Sequence, residues 1–259
     1  MIKFSNLKNK FKNKKKIFGA WNSIPNNLIS EIFARSNVDF LGVDIEHSSM
    51  SFEQIQNIII SSQSLNIPCL PRIASINNES IKRILDMGAD GIIVPNVETE
   101  KDIENLTLWT KYPPVGNRGY GIARAQGYGH NFNHYVKSWN NKSVLIIQIE
   151  SIKAIENLDK LLRFKAVDAV MIGPYDISGS LGIPGQINHS KVKKACEEVL
   201  KICKKYSKPC GIQDSNPNKS SIDLLIKRGY SFIVLSSDIF ALWEWTNQIK
   251  KILLKVKNQ

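Results

Sequence analysis

No run of the 259-residue chain approaches the roughly 18 consecutive apolar residues of a transmembrane helix, so none is expected to span a membrane. Cysteine is sparse. Cys69, Cys196, Cys203 and Cys210 form no CxxC pair and no zinc spacing, which excludes a disulfide scaffold and a zinc ribbon and leaves reduced, core-packing thiols. Arginine is sparser than the net charge of +12 suggests, seven against 28 lysines. Residues 1–16 hold seven of those lysines and residues 250–259 four, with no acid in either, leaving 24 basic against 23 acidic residues in the body. A nucleic-acid surface needs a basic stripe on the folded face, so the charge reads as solvated, Lys-rich ends and no nucleic-acid partner is expected. The first 16 residues have no apolar core or small-residue cleavage site of a secretory leader, and a cytoplasmic location is expected.

What the chain does contain is a repeat. Short apolar runs read as strands at Ile17–Trp21, Phe40–Glu46, Pro68–Ala74, Gly91–Asn96, Ser143–Glu150, Ala169–Pro174, Pro209–Asp214 and Phe232–Asp238. Helical patterns separate them, among them Ser51–Leu65, Glu79–Met87, Thr99–Lys111, Ile152–Phe164, Ser190–Tyr206 and Ser220–Arg228. The runs are continuously apolar, as parallel strands covered on both faces are. Eight such units in about 250 residues is the arithmetic of a (β/α)8 TIM barrel. No GxGxxG follows the first strand, which argues against a doubly wound sheet. The expected organisation is a Lys-rich tail over 1–16 and one barrel domain over 17–259. Residues 112–142, rich in Gly and Pro, read as a long connection that returns over the barrel or reaches a neighbouring subunit.

Barrel active sites lie at the C-terminal strand ends. Those ends carry Asp44, Glu46, His47, Arg72, Asn96, Gln148, Glu150, Asp176, Asp214 and Asp238, and no Lys. A Schiff-base enzyme needs a desolvated Lys there. Paired carboxylates with an Arg and a His suit a hard divalent cation held by few protein ligands, and Glu150 and Asp176 end adjacent strands.

Four segments carry a resemblance: VDIEHSSMSFEQ (43–54), PRIASINNESIKRILDMGADGIIVPNVET (71–99), YPPVGNRGYGIARAQGYG (112–129) and QIESIKAIENLDKLL with VDAVMIGPYDISGSLGIPG (148–185). Together they resemble the HpcH/HpaI family of metal-dependent pyruvate aldolases, over nearly the whole stretch from Gly19 to Asp238. The resemblance implies a class II lyase that reversibly cleaves a 2-keto-4-hydroxy acid, of the 2-keto-3-deoxy sugar acid or 4-hydroxy-2-oxo-dioate type. The products are pyruvate and an aldehyde, formed through a metal-stabilised enolate. It implies Glu150 and Asp176 as metal ligands, Mg2+ or Mn2+ as the first expectation and Co2+ or Zn2+ as alternatives. His47 and Asp86 match the family's catalytic pair, and Arg72 matches its contact to the keto oxygen. Gln148 and the turn Gly173–Pro174–Tyr175–Asp176 match its substrate-binding segment, where a helix start offers amides to a carboxylate. A homo-oligomer, trimer or hexamer, is also implied. Ile45 stands where many members have Gly and Tyr175 where others have Ala, which bears on the aldehyde more than on pyruvate.

Arg118 and Arg124 either hold the long connection together or reach a neighbouring site. His130 and His134, four apart, lie where no strong helix signal supports a metal pair, and Trp243 and Trp245 read as packing or subunit contacts. Two rival functions are a citrate-lyase-like lyase of CoA thioesters and a non-catalytic barrel that binds a keto acid or a partner. The first wants a basic or Gly-rich groove that is not apparent, and the second has no need of a base at His47.

Overall fold

The computed structural model describes residues 7–13 and 15–258. Eight strands, β1 (Ile17–Asn22), β2 (Phe40–Asp44), β3 (Cys69–Arg72), β4 (Gly91–Val94), β5 (Val144–Ile149), β6 (Ala169–Ile172), β7 (Cys210–Asp214) and β8 (Phe232–Leu235), pair in chain order. All pairs are parallel, and Gly19 of β1 opposite Val234 of β8 closes the barrel. Each strand lies on one of the apolar runs, most of them trimmed at an end, while β1 runs one residue further to Asn22.

Helices α2 (Asn27–Ala34), α3 (Phe52–Ser64), α4 (Asn78–Asp86), α5 (Glu100–Thr110), α6 (Phe132–Lys142), α7 (Ile152–Leu161), α8 (Pro174–Ser180), α9 (Ser190–Lys205) and α10 (Lys219–Arg228) alternate with the strands. Helix α1 (Leu7–Lys12) precedes the barrel and α11 (Asp238–Lys257) ends it. Most helices start on a side-chain cap that fixes where each loop leaves the mouth. In α3, Ser51 Oγ accepts from Gln54 N while Gln54 Oε1 accepts from Ser51 N at 2.9 Å.

Two apolar clusters form, one between strands and helices and one inside the barrel. Inside, aromatic rings fill the space that glycines leave. A Cβ on Gly42 would stand 2.3 Å from the Trp21 ring, and one on Gly211 2.3 Å from the Phe232 ring. Trp21, 3% exposed, is thereby fixed beneath the mouth.

The N-terminal segment is not wholly solvated, contrary to its composition. Leu7 and Phe11 of α1, each 1% exposed, join the barrel-interior cluster, and Phe11 meets Phe232 edge-on at 5.4 Å. Lys8 is buried too, its ammonium 3.0 Å from Asp168 and donating to Ser143 O at 2.9 Å. One helical turn with two apolar residues four apart suffices to plug the floor, while Lys12, Lys15 and Lys16 remain exposed. Residues 1–6 and 14 of the expected tail lie outside the described residues.

The long connection also differs from expectation: its second part is helix α6, which buries Tyr135 and Trp139. Helix α11 buries only Asp238, and Ile239, Leu242, Trp243, Trp245, Ile252 and Leu254 lie exposed along it. Trp243 and Trp245 are thus largely exposed among the described residues. Among the described residues no helix is long and apolar enough to cross a membrane.

Candidate active site

Strand ends build the mouth from the floor of Trp21 upward. Arg72 closes β3 with its guanidinium 5.1 Å over the Trp21 ring. It donates from Nε to Asp44 Oδ1 at 3.1 Å and from Nη2 to Asp44 Oδ2 at 2.7 Å, a two-point grip that fixes its plane. Asp44 also accepts from the amides of Glu46 and His47, which shapes the turn after β2. The third face of the guanidinium, Nη1, lies 3.2 Å from Glu46 Oε2. His47 Nε2 stands 3.7 Å from that same oxygen, on a side chain 69% exposed to solvent.

Opposite Arg72, Glu150 follows β5 and Asp176 sits in the first turn of α8. A Cβ on Gly173 would meet Glu150 Cγ at 3.0 Å, Asp176 Oδ2 at 3.1 Å and the Glu150 carboxyl carbon at 3.6 Å, so both side chains close on a position where a glycine leaves room. Burial pushes the Glu150 carboxyl up to about 7, with Asp176 and then Glu46 adding like-charge repulsion. Glu46 is raised as well, chiefly by burial; Arg72 and His47 oppose the shift and Asp44 and Asp176 add to it. Gln148 Oε1 is buried without a hydrogen-bond donor, and Glu46 Oε2 is buried with the Arg72 ion pair but no hydrogen bond.

The mouth is therefore rich in acceptors and poor in donors, and buried acceptors without partners are costly. Hard oxygen donors with excess negative charge are the surroundings a divalent cation requires, so these residues fit one. Among the described residues no three His, Cys, Asp or Glu side chains are grouped so that they could hold a metal ion. His130 and His134 are in no such group either.

The α8 start offers fewer amides than its sequence suggests. Gly173 N–H donates to Ile149 O at 3.1 Å and Pro174 has no N–H, which leaves Tyr175 and Asp176. Tyr175 projects from the rim, 60% exposed.

His47 and Asp86 are not brought together in this chain. His47 follows β2 at the mouth, whereas Asp86 ends α4, which runs back to the floor. There Asp86 Oδ1 accepts from Arg118 Nη2 at 2.8 Å. Arg118, wholly buried, lies 4.9 Å from the ring of Tyr112 and 4.6 Å from that of Trp139, and Nη1 donates to Tyr135 Oη. Arg124 Nη1 donates to Gln63 Oε1 and Met87 O. Within this chain both arginines hold the long connection against the floor end.

Asp44, Glu46 and Asn96 belong to the mouth without having been given roles from sequence. The signal was present in their position at strand ends, but polar strand ends are common. Asn96 adds a feature only the backbone reveals, a left-handed conformation with φ 54°.

The family profile described as HpcH/HpaI aldolase/citrate lyase matches residues 18–238. A hydroxypyruvate/pyruvate aldolase of Roseobacter denitrificans is 33% identical over 227 residues, covering 86% of this chain and 87% of its own. A 2-keto-3-deoxy-L-rhamnonate aldolase of Klebsiella pneumoniae is 32% identical, covering 85% of this chain and 82% of its own. The crystal structure of an HpcH/HpaI aldolase from Desulfitobacterium hafniense superposes with a TM-score of 0.87 at 29% identity, over 95% of this chain and 96% of that one.

Proposed function

Because the chain belongs to the HpcH/HpaI aldolase/citrate lyase family, we propose that it is a lyase that cleaves and forms 2-keto-4-hydroxy acids, with pyruvate as one product, and that it depends on a divalent metal. The observation that carries the metal reading is the approach of Glu150 and Asp176 across Gly173, beside the unpartnered acceptor of Gln148. Glu150 and Asp176 would hold Mg2+ or Mn2+, with Co2+ or Zn2+ as alternatives. Bound there, the ion supplies Lewis-acid polarisation of the substrate's keto oxygen.

The chain's own residues perform the remaining work. The amides of Tyr175 and Asp176 face the substrate carboxylate at the α8 start. Arg72, its plane fixed by Asp44 and Trp21, places its guanidinium charge in the mouth to stabilise the negative charge that develops on the keto oxygen. Gln148 lines the same wall. His47 takes the C4 hydroxyl proton; the C3–C4 bond breaks, its electron pair passes into the enolate of pyruvate, and C3 is then protonated as the aldehyde leaves. The exposure of His47 lets it exchange that proton with water. The chain's own Asp86 lies at the floor in an ion pair with Arg118, so any pairing of His47 with this residue would have to be made between two copies of the chain. A homo-oligomer, trimer or hexamer, is supported by the exposed apolar residues of α11. The free cysteines support a cytoplasmic location.

Incubating the protein with pyruvate in deuterated water tests this without knowing the aldehyde. Loss of the methyl proton signal with Mg2+ or Mn2+, and its persistence with a chelator, is the expected result. Absence of exchange with every divalent metal would overturn the reading.

A further inference from the structure

We propose that Asn96 is a positioning residue that keeps the Glu46 carboxylate away from the cation, so that the ion meets two carboxylates, Glu150 and Asp176, and Glu46 remains an acceptor in the mouth. This inference rests on reading the mouth as a cation site.

Asn96 follows Pro95 at the end of β4 with φ 54°. Non-glycine residues seldom adopt this conformation; Asn is among the few that tolerate it, and such strain clusters at functional sites. Here the turn has a definite result. It aims the Asn96 backbone N–H at Glu150 Oε2, at 3.3 Å, and the side-chain Nδ2 at Glu46 Oε1, also at 3.3 Å. One residue thus donates to two carboxylates that rise from different strands, by separate atoms. Arg72 holds the other oxygen of Glu46, so this carboxylate is braced on both sides. Among the described residues, Glu150 has the single backbone donor from Asn96 and the Asp176 carboxylate accepts no hydrogen bond.

The electrostatics show why bracing is needed. Glu46, Glu150 and Asp176 bring three like charges to one mouth, and like charges held close together repel. A divalent cation among three mobile carboxylates gathers all three, since affinity of hard oxygen sites climbs with the charge count of the ligands. A third carboxylate would bind the ion more tightly and leave it less positive charge to offer a keto oxygen.

Asn96→Gly separates the atoms. It keeps the left-handed backbone and the N–H to Glu150 and removes only the amide on Glu46. Asn96→Asp, which also tolerates this conformation, replaces the donor with an acceptor. Mn2+ affinity is read by calorimetry without pyruvate, and exchange of the pyruvate methyl protons is read separately. In both variants Mn2+ is expected to bind about tenfold more tightly while kcat for exchange falls about tenfold, the scale of one hydrogen bond to a charged group. Adding Glu46→Gln to Asn96→Gly should abolish the gain in affinity. Unchanged affinity and exchange, or a loss of both, overturns the proposal. If wild-type protein binds Mn2+ yet exchanges no protons, the aldolase reading fails and the affinity comparison still decides the role of Asn96.

Discussion

Lys111 offers a quantitative test of how the barrel floor is built. It is 2% exposed, and its ammonium donates to Ser143 Oγ at 2.6 Å and Ser143 O at 3.3 Å. Lys8, from α1, already occupies Asp168 and the same carbonyl, so two buried ammonium groups share one carbonyl and only Lys8 is paired with the carboxylate. Burial first, then Lys8 and the more distant Arg118, push Lys111 down from 10.5 to about 7, while Asp168 opposes. The unfolded chain binds this proton up to about pH 10.5 and the folded chain releases it near 7, so stability rises with pH across that window and is flat below it. At about 1.4 kcal/mol per pH unit the charged form costs the fold roughly 4–5 kcal/mol at neutral pH and below. Lys111→Met removes that cost and forfeits the bonds to Ser143, about 1–2 kcal/mol, for a net stabilisation of about 3 kcal/mol at pH 7. Guanidinium unfolding of both proteins at pH 6, 7, 8 and 9 gives the comparison. Wild type should gain about 2 kcal/mol on the variant between pH 7 and 9. Parallel stability curves, or a variant less stable at pH 7, would refute the reasoning.

Phe11→Ala should unplug the floor at about 3–5 kcal/mol, lowering Tm by about 10 °C in a scanning-calorimetry trace. Gly173→Ala keeps an ordinary backbone (φ −104°) but drives a methyl between Glu150 and Asp176, so Mn2+ affinity should fall at least about tenfold with circular dichroism unchanged. Arg72→Lys loses the two-point grip on Asp44 and the plane over Trp21, and pyruvate methyl exchange should slow about 100-fold in a folded protein. Arg118→Met empties the aromatic cage beneath residues 112–131, and limited proteolysis should cut there far sooner than in wild type.

How much of this was legible in the sequence depends on how local each signal is. The strands are runs of contiguous apolar residues, so β5 and β6 could be read directly, and Glu150 with Asp176 followed from their ends. Burial of Leu7 and Phe11 depends on Phe232, more than two hundred residues away, and seven lysines in the first 16 residues masked it. Helix α6 was hidden because its apolar residues, Tyr135 and Trp139, are organised by Arg118 from the preceding loop rather than by a regular pattern. Asp86 was legible as a residue but not as a location: only the direction of α4 reveals that it lies at the far end from His47. Asn96 announces itself through a backbone angle, which no residue count records.

The pairing of Trp21 with Gly42 ties the chemistry at the mouth to a backbone atom on the next strand. The indole occupies the volume that any side chain at position 42 would claim, and it is also the surface on which Arg72 lies. Neither position can drift alone: a methyl at 42 evicts the ring, and a smaller residue at 21 leaves a void beneath the guanidinium. Across a lineage the two should therefore exchange in tandem, so that glycine at 42 becomes a marker, readable in any descendant, of whether the arginine still rests on an aromatic bed.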